Sequence, residues 1–228
     1  RFISHDIREP MASILTILEL ARSRPEQFDG EAAYARIERH AQAGLELADG
    51  FVNVARAEVQ AFHAEPLDLV ALVQEAADDC WVAARKRKVQ LAIGPVPAEA
   101  PFVGDRSLLG RALVNVLSNA LKYSPEGGQV RCALDTRGPH WALSVHDQGP
   151  GIPPALQSQL FRPFHRLHRE THPQVQGVGL GLLLVRAAVQ RHGGSIEIDS
   201  AEGGGCTVTL LLPRPSRTQL EAFPIDLE

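Results

Sequence analysis

Two long amphipathic helical patterns in immediate succession restrict the fold more than any other feature of this sequence. In the first, apolar residues recur at three- and four-residue steps, which predicts a helix to about Ser23: Ile3, Ile7, Met11, Ile14, Leu18 and Ala21. In the second, they follow a seven-residue repeat that Glu58 alone breaks: Tyr34, Ile37, Ala41, Gly44, Ala48, Phe51, Ala55 and Phe62. The connection at residues 24–30 contains Pro and Gly. We therefore predict an antiparallel helical hairpin, and expect a second copy of the chain to complete a four-helix bundle.

A histidine stands on the polar side of the first predicted helix. At about 100° per residue, His5 lies opposite Ile3 and Ile7 and so faces solvent. Asp6 is its neighbour, Glu9 sits one turn further on, and the following residue is a proline that interrupts the helical hydrogen bonds. This stretch alone is equally compatible with an ordinary surface histidine in an acidic helix.

The pattern changes after the segment 63–66, where short strand-like segments begin to alternate with helices. Asp105 is a plausible N-cap for a helix over 107–123, and a helix from Leu180 ends at the glycines 193–194. Strands that occur in pairs with helices between them indicate an α+β fold. We expect a hairpin domain at 1–64, an α/β domain at 65–213 and a tail or linker at 214–228.

Composition excludes several classes of protein. A formal net charge of −4 and a pI near 6.2 give no reason to expect nucleic-acid binding. The three cysteines are scattered without metal-type spacing, which suits a reducing cytosol. No apolar run reaches the roughly 18 residues of a membrane span. Because a helical pattern is already under way at the first residue, we interpret the sequence as part of a longer protein.

Three glycine-bearing stretches lie at element boundaries in the second half of the chain. The stretch 147–152 leaves a strand, 177–181 enters a helix, and 203–205 joins two strands. Glycine at a helix start presents backbone N–H groups to an anion. Neither a Gly-Lys-Ser/Thr phosphate loop nor the dinucleotide fingerprint is present. Each stretch alone is a weak signal, and we interpret 203–205 as a hairpin turn.

One helix face carries polar side chains at regular spacing. Asn115, Asn119 and Lys122 stand at i, i+4 and i+7, while leucines and valines cover another face. Two carboxamides and an ammonium suit a magnesium-bound polyphosphate, with amide oxygen on the metal and Lys on phosphate. The alternative is a polar, solvated helix face, although two asparagines in helical register are mildly unfavourable without a reason.

Taken together, these motifs over residues 1–213 resemble the catalytic core of a two-component sensor histidine kinase. The segment 2–10 resembles the H box, 115–124 the N box, 147–151 the G1 box, 160–164 the F box and 177–181 the G2 box. The resemblance implies a hairpin for dimerisation and phosphate acceptance, followed by a Bergerat-type α/β sandwich that binds ATP and Mg²⁺.

The resemblance also implies roles for individual residues. Asp147 accepts from the adenine amino group, Asn119 with Asn115 holds Mg²⁺, Lys122 reaches the phosphates and Tyr123 packs near the base. Arg166 approaches the γ-phosphate, and the segment 151–179 is a mobile lid. The other residues assigned to the nucleotide are Gly149, Gly151, Phe161, Gly177, Gly179, Leu180, Gly181 and Thr207.

The implied reaction is attack of His5 on the γ-phosphorus, with Asp6 taking or holding the other imidazole proton. The phosphoryl group then passes to an aspartate of a separate response regulator. The expected assembly is a homodimer through the hairpin, in the cytoplasm. A membrane is involved only through a sensor region that precedes this sequence.

Departures from the family pattern and rival classes bear on this interpretation. Glu9 stands where the family usually has Thr or Asn, so we predict weak or absent phosphatase activity; Glu9 could instead hydrogen-bond His5 and raise its pKa. Val178 stands in the G2-box segment at a position where the family frequently has Ser or Thr.

Rival classes are a non-catalytic ATP-binding scaffold, an ATPase of the gyrase, mismatch-repair or chaperone kind, and a serine-directed kinase. The histidines 165, 168 and 172 suggest a metal cluster only weakly.

Overall fold

The computed structural model describes residues 3–24, 26, 29–59, 61–163, 179–216 and 218; for residues 3–7, 53–54 and 56–59 it describes the backbone alone. The chain begins with two helices, α1 (Ile3–Ser23) and α2 (Gly30–Val59), packed against each other. Pro10 is buried inside α1, where its ring and Met11 approach Gly44 of α2. No described helix is both long and apolar enough to cross a bilayer.

The hairpin leaves much of its apolar surface exposed. Tyr34 is 73% exposed, Leu15 67% and Leu45 60%. Among the hairpin side chains that the structure describes, the other large apolar ones that remain exposed are Met11, Leu18, Leu20, Phe51 and Val52. A large exposed apolar surface of this kind usually marks an interaction site.

Helices and strands then alternate along the chain. The elements are β1 (Glu65–Asp68), α3 (Leu69–Arg87), β2 (Gln90–Ile93), β3 (Pro101–Gly104), α4 (Arg106–Tyr123), β4 (Gln129–Arg137), β5 (His140–Asp147), α5 (Pro154–Gln157), α6 (Gly181–Arg191), β6 (Ser195–Ser200) and β7 (Cys206–Pro213). The predicted α+β class, with a helical hairpin preceding a sheet and its helices, is confirmed.

The main sheet has five strands in the order β2-β4-β5-β7-β6, and β1 pairs with β3 in a small second sheet. Only β2 and β4 run parallel; the other neighbours in the main sheet are antiparallel. One core joins α3, α4 and α6 to this sheet, with Leu113, Leu117, Leu143 and Leu210 almost fully buried. The opposite face carries charged side chains, and Arg137 and Glu197 form an ion pair there.

Local capping explains where two of these helices begin. Asp68 accepts a hydrogen bond from the Val70 amide at the start of α3. Asp105 accepts one from the Leu108 amide, at 2.9 Å, and caps α4 as the sequence predicts. The short helix α5 lies within the segment 151–179 that is expected to form a mobile lid. Proline suits the first position of a helix, and Pro153 and Pro154 stand at the start of α5.

A buried histidine joins α4, α6 and the segment that follows the hairpin. His192 donates from Nδ1 to the Ala188 carbonyl (2.7 Å) and accepts at Nε2 from the Asp105 amide (2.9 Å). Because both nitrogens are used in this way, the ring is neutral, and burial lowers its pKa. The ring of Phe62 packs edge-on against it, with centroids 4.8 Å apart. The chain leaving the hairpin is therefore fixed to the sheet-containing part of the molecule.

Candidate functional site

Helix α4 presents the predicted polar face at the edge of the core. Asn115, Asn119 and Lys122 are half-buried, whereas Leu117 and Leu121 on the opposite side are fully buried. Asn115 donates from Nδ2 to the Arg111 carbonyl at 2.8 Å. This bond fixes the amide with Oδ1 toward the start of α6, where a Cβ at Gly181 would stand only 2.7 Å from that oxygen.

The end of β5 places a carboxylate in the same region. Asp147 is 7% exposed, and its Oδ1 accepts from the Gly149 amide at 2.8 Å. Burial raises the pKa of Asp147, while the Gly149 amide and the neighbouring His146 act in the opposite direction. No ion pair to this carboxylate occurs among the described residues. A buried carboxylate requires hydrogen-bond donors, and the backbone amides of Gly149 and Cys206 act on it in this way.

Close backbone approaches bring three separate stretches of the sequence together. The backbone of Gly149 lies against Tyr123, and a Cβ at Gly149 would be 3.0 Å from the Tyr123 carbonyl oxygen. The end of α4 therefore meets the turn after β5, while Asn115 meets the start of α6. Asn119 and Lys122 lie on α4 between these two contacts.

The amino end of α6 completes the site. Leu180 occupies the N-cap position without a side-chain hydrogen bond, so within the described part of the chain no N-cap side chain pairs with the first backbone N–H groups of the helix. Such an end attracts anions, because unpaired N–H groups and the helix dipole both favour negative charge. Phe161 lies near this helix, with the Arg186 guanidinium 5.6 Å from its ring centre.

The donor set fits ATP with a divalent cation. The amide oxygens of Asn115 and Asn119 are hard ligands suited to Mg²⁺, and Lys122 and the amino end of α6 suit phosphate oxygens. The Asp147 carboxylate suits an exocyclic amine such as that of adenine. No cluster of three or more His, Cys, Asp or Glu side chains that could hold a metal occurs in the described part of the chain.

Some predicted site residues are not brought into this group. Thr207 lies on the opposite face of the sheet, where its Oγ1 is 3.0 Å from His146 Nδ1, because alternate residues of a strand face opposite sides. The adjacent Cys206 pairs with Asp147 across the strands, and burial with the charge of Asp147 raises the pKa of its thiol to about 11. The alternation of β7 could have identified Cys206, but only with the strand register known.

Other predicted residues lie outside the described part. Arg166 and Gly177 belong to the segment 164–178, as do the three histidines noted above. His5 and Asp6 lie in α1, whose backbone is described there, but their side chains are not. Glu9 is exposed on α1, and its carbonyl accepts from the Ser13 hydroxyl at 3.0 Å.

Comparison with known proteins defines the class. A family model described as "Histidine kinase-, DNA gyrase B-, and HSP90-like ATPase" matches residues 104–216. The sensor histidine kinase TmoS of Ectopseudomonas mendocina is 31% identical over 218 residues, covering 92% of this chain and 22% of TmoS. The sensor histidine kinase CpxA of Escherichia coli is 31% identical over 218 residues, covering 95% of this chain and 46% of CpxA.

Solved structures agree in fold. The mycobacterial sensor histidine kinase MprB shares 35% identity and a TM-score of 0.58, covering 68% of this chain and 100% of the MprB chain. The histidine kinase ThkA, solved in complex with the response regulator TrrA, has a TM-score of 0.75 over 93% of this chain and 60% of its own, at 19% identity. The ThkA likeness shows the fold alone.

This chain belongs to the sensor histidine kinase family. The curated relatives match it through the helical hairpin as well as through the ATPase-like part, which separates it from the gyrase and chaperone branches of the same family model. The chain spans about half or less of the length of these curated relatives.

Proposed function

We propose that this chain is a histidine kinase core that transfers the γ-phosphoryl group of ATP to His5 and then to an aspartate of a response regulator. The observation that carries the proposal is the meeting of three features at one place. These are the Asn115–Lys122 face of α4, the buried Asp147 carboxylate and the uncapped start of α6. The chain also carries a histidine on the preceding hairpin, as a sensor histidine kinase requires.

The nucleotide is bound by groups of different chemistry. Asp147 accepts from the adenine amino group, and this selects ATP over GTP, because guanine presents a carbonyl oxygen at that position. Tyr123 borders the base, Lys122 contacts phosphate oxygens, and Gly179 and Gly181 offer backbone N–H groups. The remaining contacts come from Gly149, Gly151, Phe161, Gly177 and Leu180. Asn119 and Asn115 would hold Mg²⁺, which would supply positive charge to the phosphates.

The transfer step forms one bond and breaks another. An imidazole nitrogen of His5 forms a bond to the γ-phosphorus while the bond from that phosphorus to the β–γ bridging oxygen breaks, and ADP leaves. Asp6 accepts a hydrogen bond from the other imidazole nitrogen, which raises the nucleophilicity of the attacking one. Arg166 supports the charge on the transferred group. In the second step the phosphoryl group moves from His5 to a carboxylate oxygen of the regulator.

The exposed surface of the hairpin supports a dimer. The apolar side chains on α1 and α2, such as Leu15 and Leu45, are covered when two hairpins form a four-helix bundle. We place the domain boundary after residue 64, since β1 begins at Glu65, and treat 214–228 as a tail or linker. The core is cytoplasmic and reaches the membrane through a preceding sensor region. A monomeric mass at high protein concentration would contradict the dimer.

Incubation with γ-labelled ATP and Mg²⁺ tests the proposal. The wild type is expected to take up label that is stable to base and labile to acid, as a phosphoramidate is. His5→Gln should take up none while binding ATP within about twofold of the wild type. His40→Gln on α2 is the matched control and should be labelled normally. ATP hydrolysis without label on the wild type would favour the ATPase alternative, and ATP binding alone the scaffold.

Glu9 bears on the hydrolysis of the phosphoryl group from the regulator. We propose that dephosphorylation of the regulator is weak, because a carboxylate repels an aspartyl phosphate and cannot donate a hydrogen bond to orient water as a hydroxyl or amide does. Glu9→Thr is expected to raise the rate of loss of label from a phosphorylated regulator by about tenfold. Rapid dephosphorylation by the wild type that Glu9→Ala abolishes would reverse this assignment.

A further inference from the structure

The turn after β5 is held against the β6–β7 hairpin by backbone and side-chain hydrogen bonds. The Gly203 amide donates to the Pro150 carbonyl at 2.7 Å. The Ile152 amide donates to Ser200 Oγ at 2.9 Å. The Ser200 hydroxyl in turn donates to the Gly205 carbonyl at 2.6 Å. One hydroxyl therefore joins the chain leaving the turn to both ends of the hairpin loop.

A second side chain closes the same junction. Gln157, at the end of α5, donates from Nε2 to the Ser200 carbonyl at 2.9 Å and lies 3.2 Å from the Ile152 carbonyl. These contacts are partly buried, so water replaces them poorly when they are lost. The start of the segment that leads away from the candidate site is thus fixed on both sides.

This junction lies next to the buried carboxylate. Gly205, which accepts from Ser200, immediately precedes Cys206, the strand partner of Asp147. Ile152 is five residues beyond Asp147 on the other side of the turn. The bonds of Ser200 therefore close a loop of backbone that includes Asp147 and the glycines of the turn.

We propose that Ser200 is a positioning residue for nucleotide binding. It touches no nucleotide; it holds the turn 147–152 in the form in which Asp147 and the backbone after it meet the base. Serine suits this place because one hydroxyl both accepts from Ile152 and donates to Gly205. The inference rests on the proposed function, which assigns this turn to the nucleotide site.

Ser200→Ala removes both bonds and tests the proposal. We expect the KM for ATP in autophosphorylation and the calorimetric Kd for ATP to rise about five- to tenfold, with kcat within twofold of the wild type. Hydrogen exchange at the Ile152 and Gly203 amides should become faster. Ser200→Thr, which keeps the hydroxyl, should restore the wild-type values. Ser195→Ala, at the exposed start of the same strand, is the matched control and should change none of them.

The outcomes separate this inference from the proposed function. A wild type that forms no phosphohistidine contradicts the function, while Kd and amide exchange in Ser200→Ala still decide the role of Ser200. Unchanged Kd and unchanged exchange at Ile152 overturn the inference even if the kinase is active. A fall in kcat with an unchanged KM overturns it as well, since that pattern indicates a role in the transfer step.

Discussion

Asp147→Asn is expected to weaken ATP binding at least tenfold and, at the same time, to raise the melting temperature of the nucleotide-free protein. The carboxylate is 7% exposed and has no ion pair within the described residues. An amide of the same shape still accepts from the Gly149 amide but is a weaker acceptor for the adenine amino group, because a charge-assisted bond is roughly twice as strong as a neutral one. The substitution therefore weakens ATP binding and increases the stability of the nucleotide-free fold.

The sign of the stability effect follows from the pKa. Burial raises the pKa of Asp147 in the folded protein above its usual value, so the ionised form costs folding free energy at neutral pH. As the pH falls through the folded-state pKa, the carboxyl becomes protonated and this cost disappears. The difference in stability between Asp147→Asn and the wild type should therefore be largest near pH 7 and shrink toward acid pH.

Thermal unfolding across this pH range and calorimetry with ATP check the prediction. Asp78→Asn, an isosteric change at an exposed position on α3, is the control and should alter neither quantity. An Asp147→Asn protein that binds ATP as tightly as the wild type would remove Asp147 from the nucleotide site.

Gly151→Ala is expected to destabilise the protein by about 3 kcal/mol or more and to abolish measurable ATP binding. Gly151 has φ +70, a conformation that costs other residues about 1–2 kcal/mol. A Cβ there would overlap the Ala201 carbonyl oxygen and stand 2.7 Å from its carbonyl carbon and 3.1 Å from the Gly205 oxygen. Because these neighbours are backbone atoms, the turn must move as a whole, and Asp147 moves with it.

Gly127→Ala separates the two contributions. Gly127 has φ +79, yet no atom lies within 4 Å of the position that a Cβ would occupy. This variant should lose only about 1–2 kcal/mol and keep its affinity for ATP. Urea unfolding and ATP titration of both variants provide the comparison. If Gly127→Ala and Gly151→Ala lost equal amounts of stability, the contact of Gly151 with the β6–β7 hairpin would contribute nothing to the effect of Gly151→Ala.

Local sequence patterns were sufficient for the long helices and for the alternation of strands with helices, but not for the short helix α5. The apolar periodicity that predicts α1 and α2 depends only on neighbours within two turns, and Asp105 caps α4 through an amide three residues away. The polar face of Asn115, Asn119 and Lys122 is likewise a property of one helix, and all three side chains are half-buried as a binding face requires. The roles of these site residues stay predictions that the experiments above address.

Only the tertiary structure decided which stretches meet and which residues support them. Thr207 and Cys206 are adjacent in sequence, yet the register of β5 with β7 places Cys206 beside Asp147 and Thr207 on the other face. Ser200 and Gln157 have no local signal, because their partners lie up to 48 residues away in the chain. Periodicity specifies which side of an element is buried, whereas strand register and loop contacts depend on packing between elements distant in sequence.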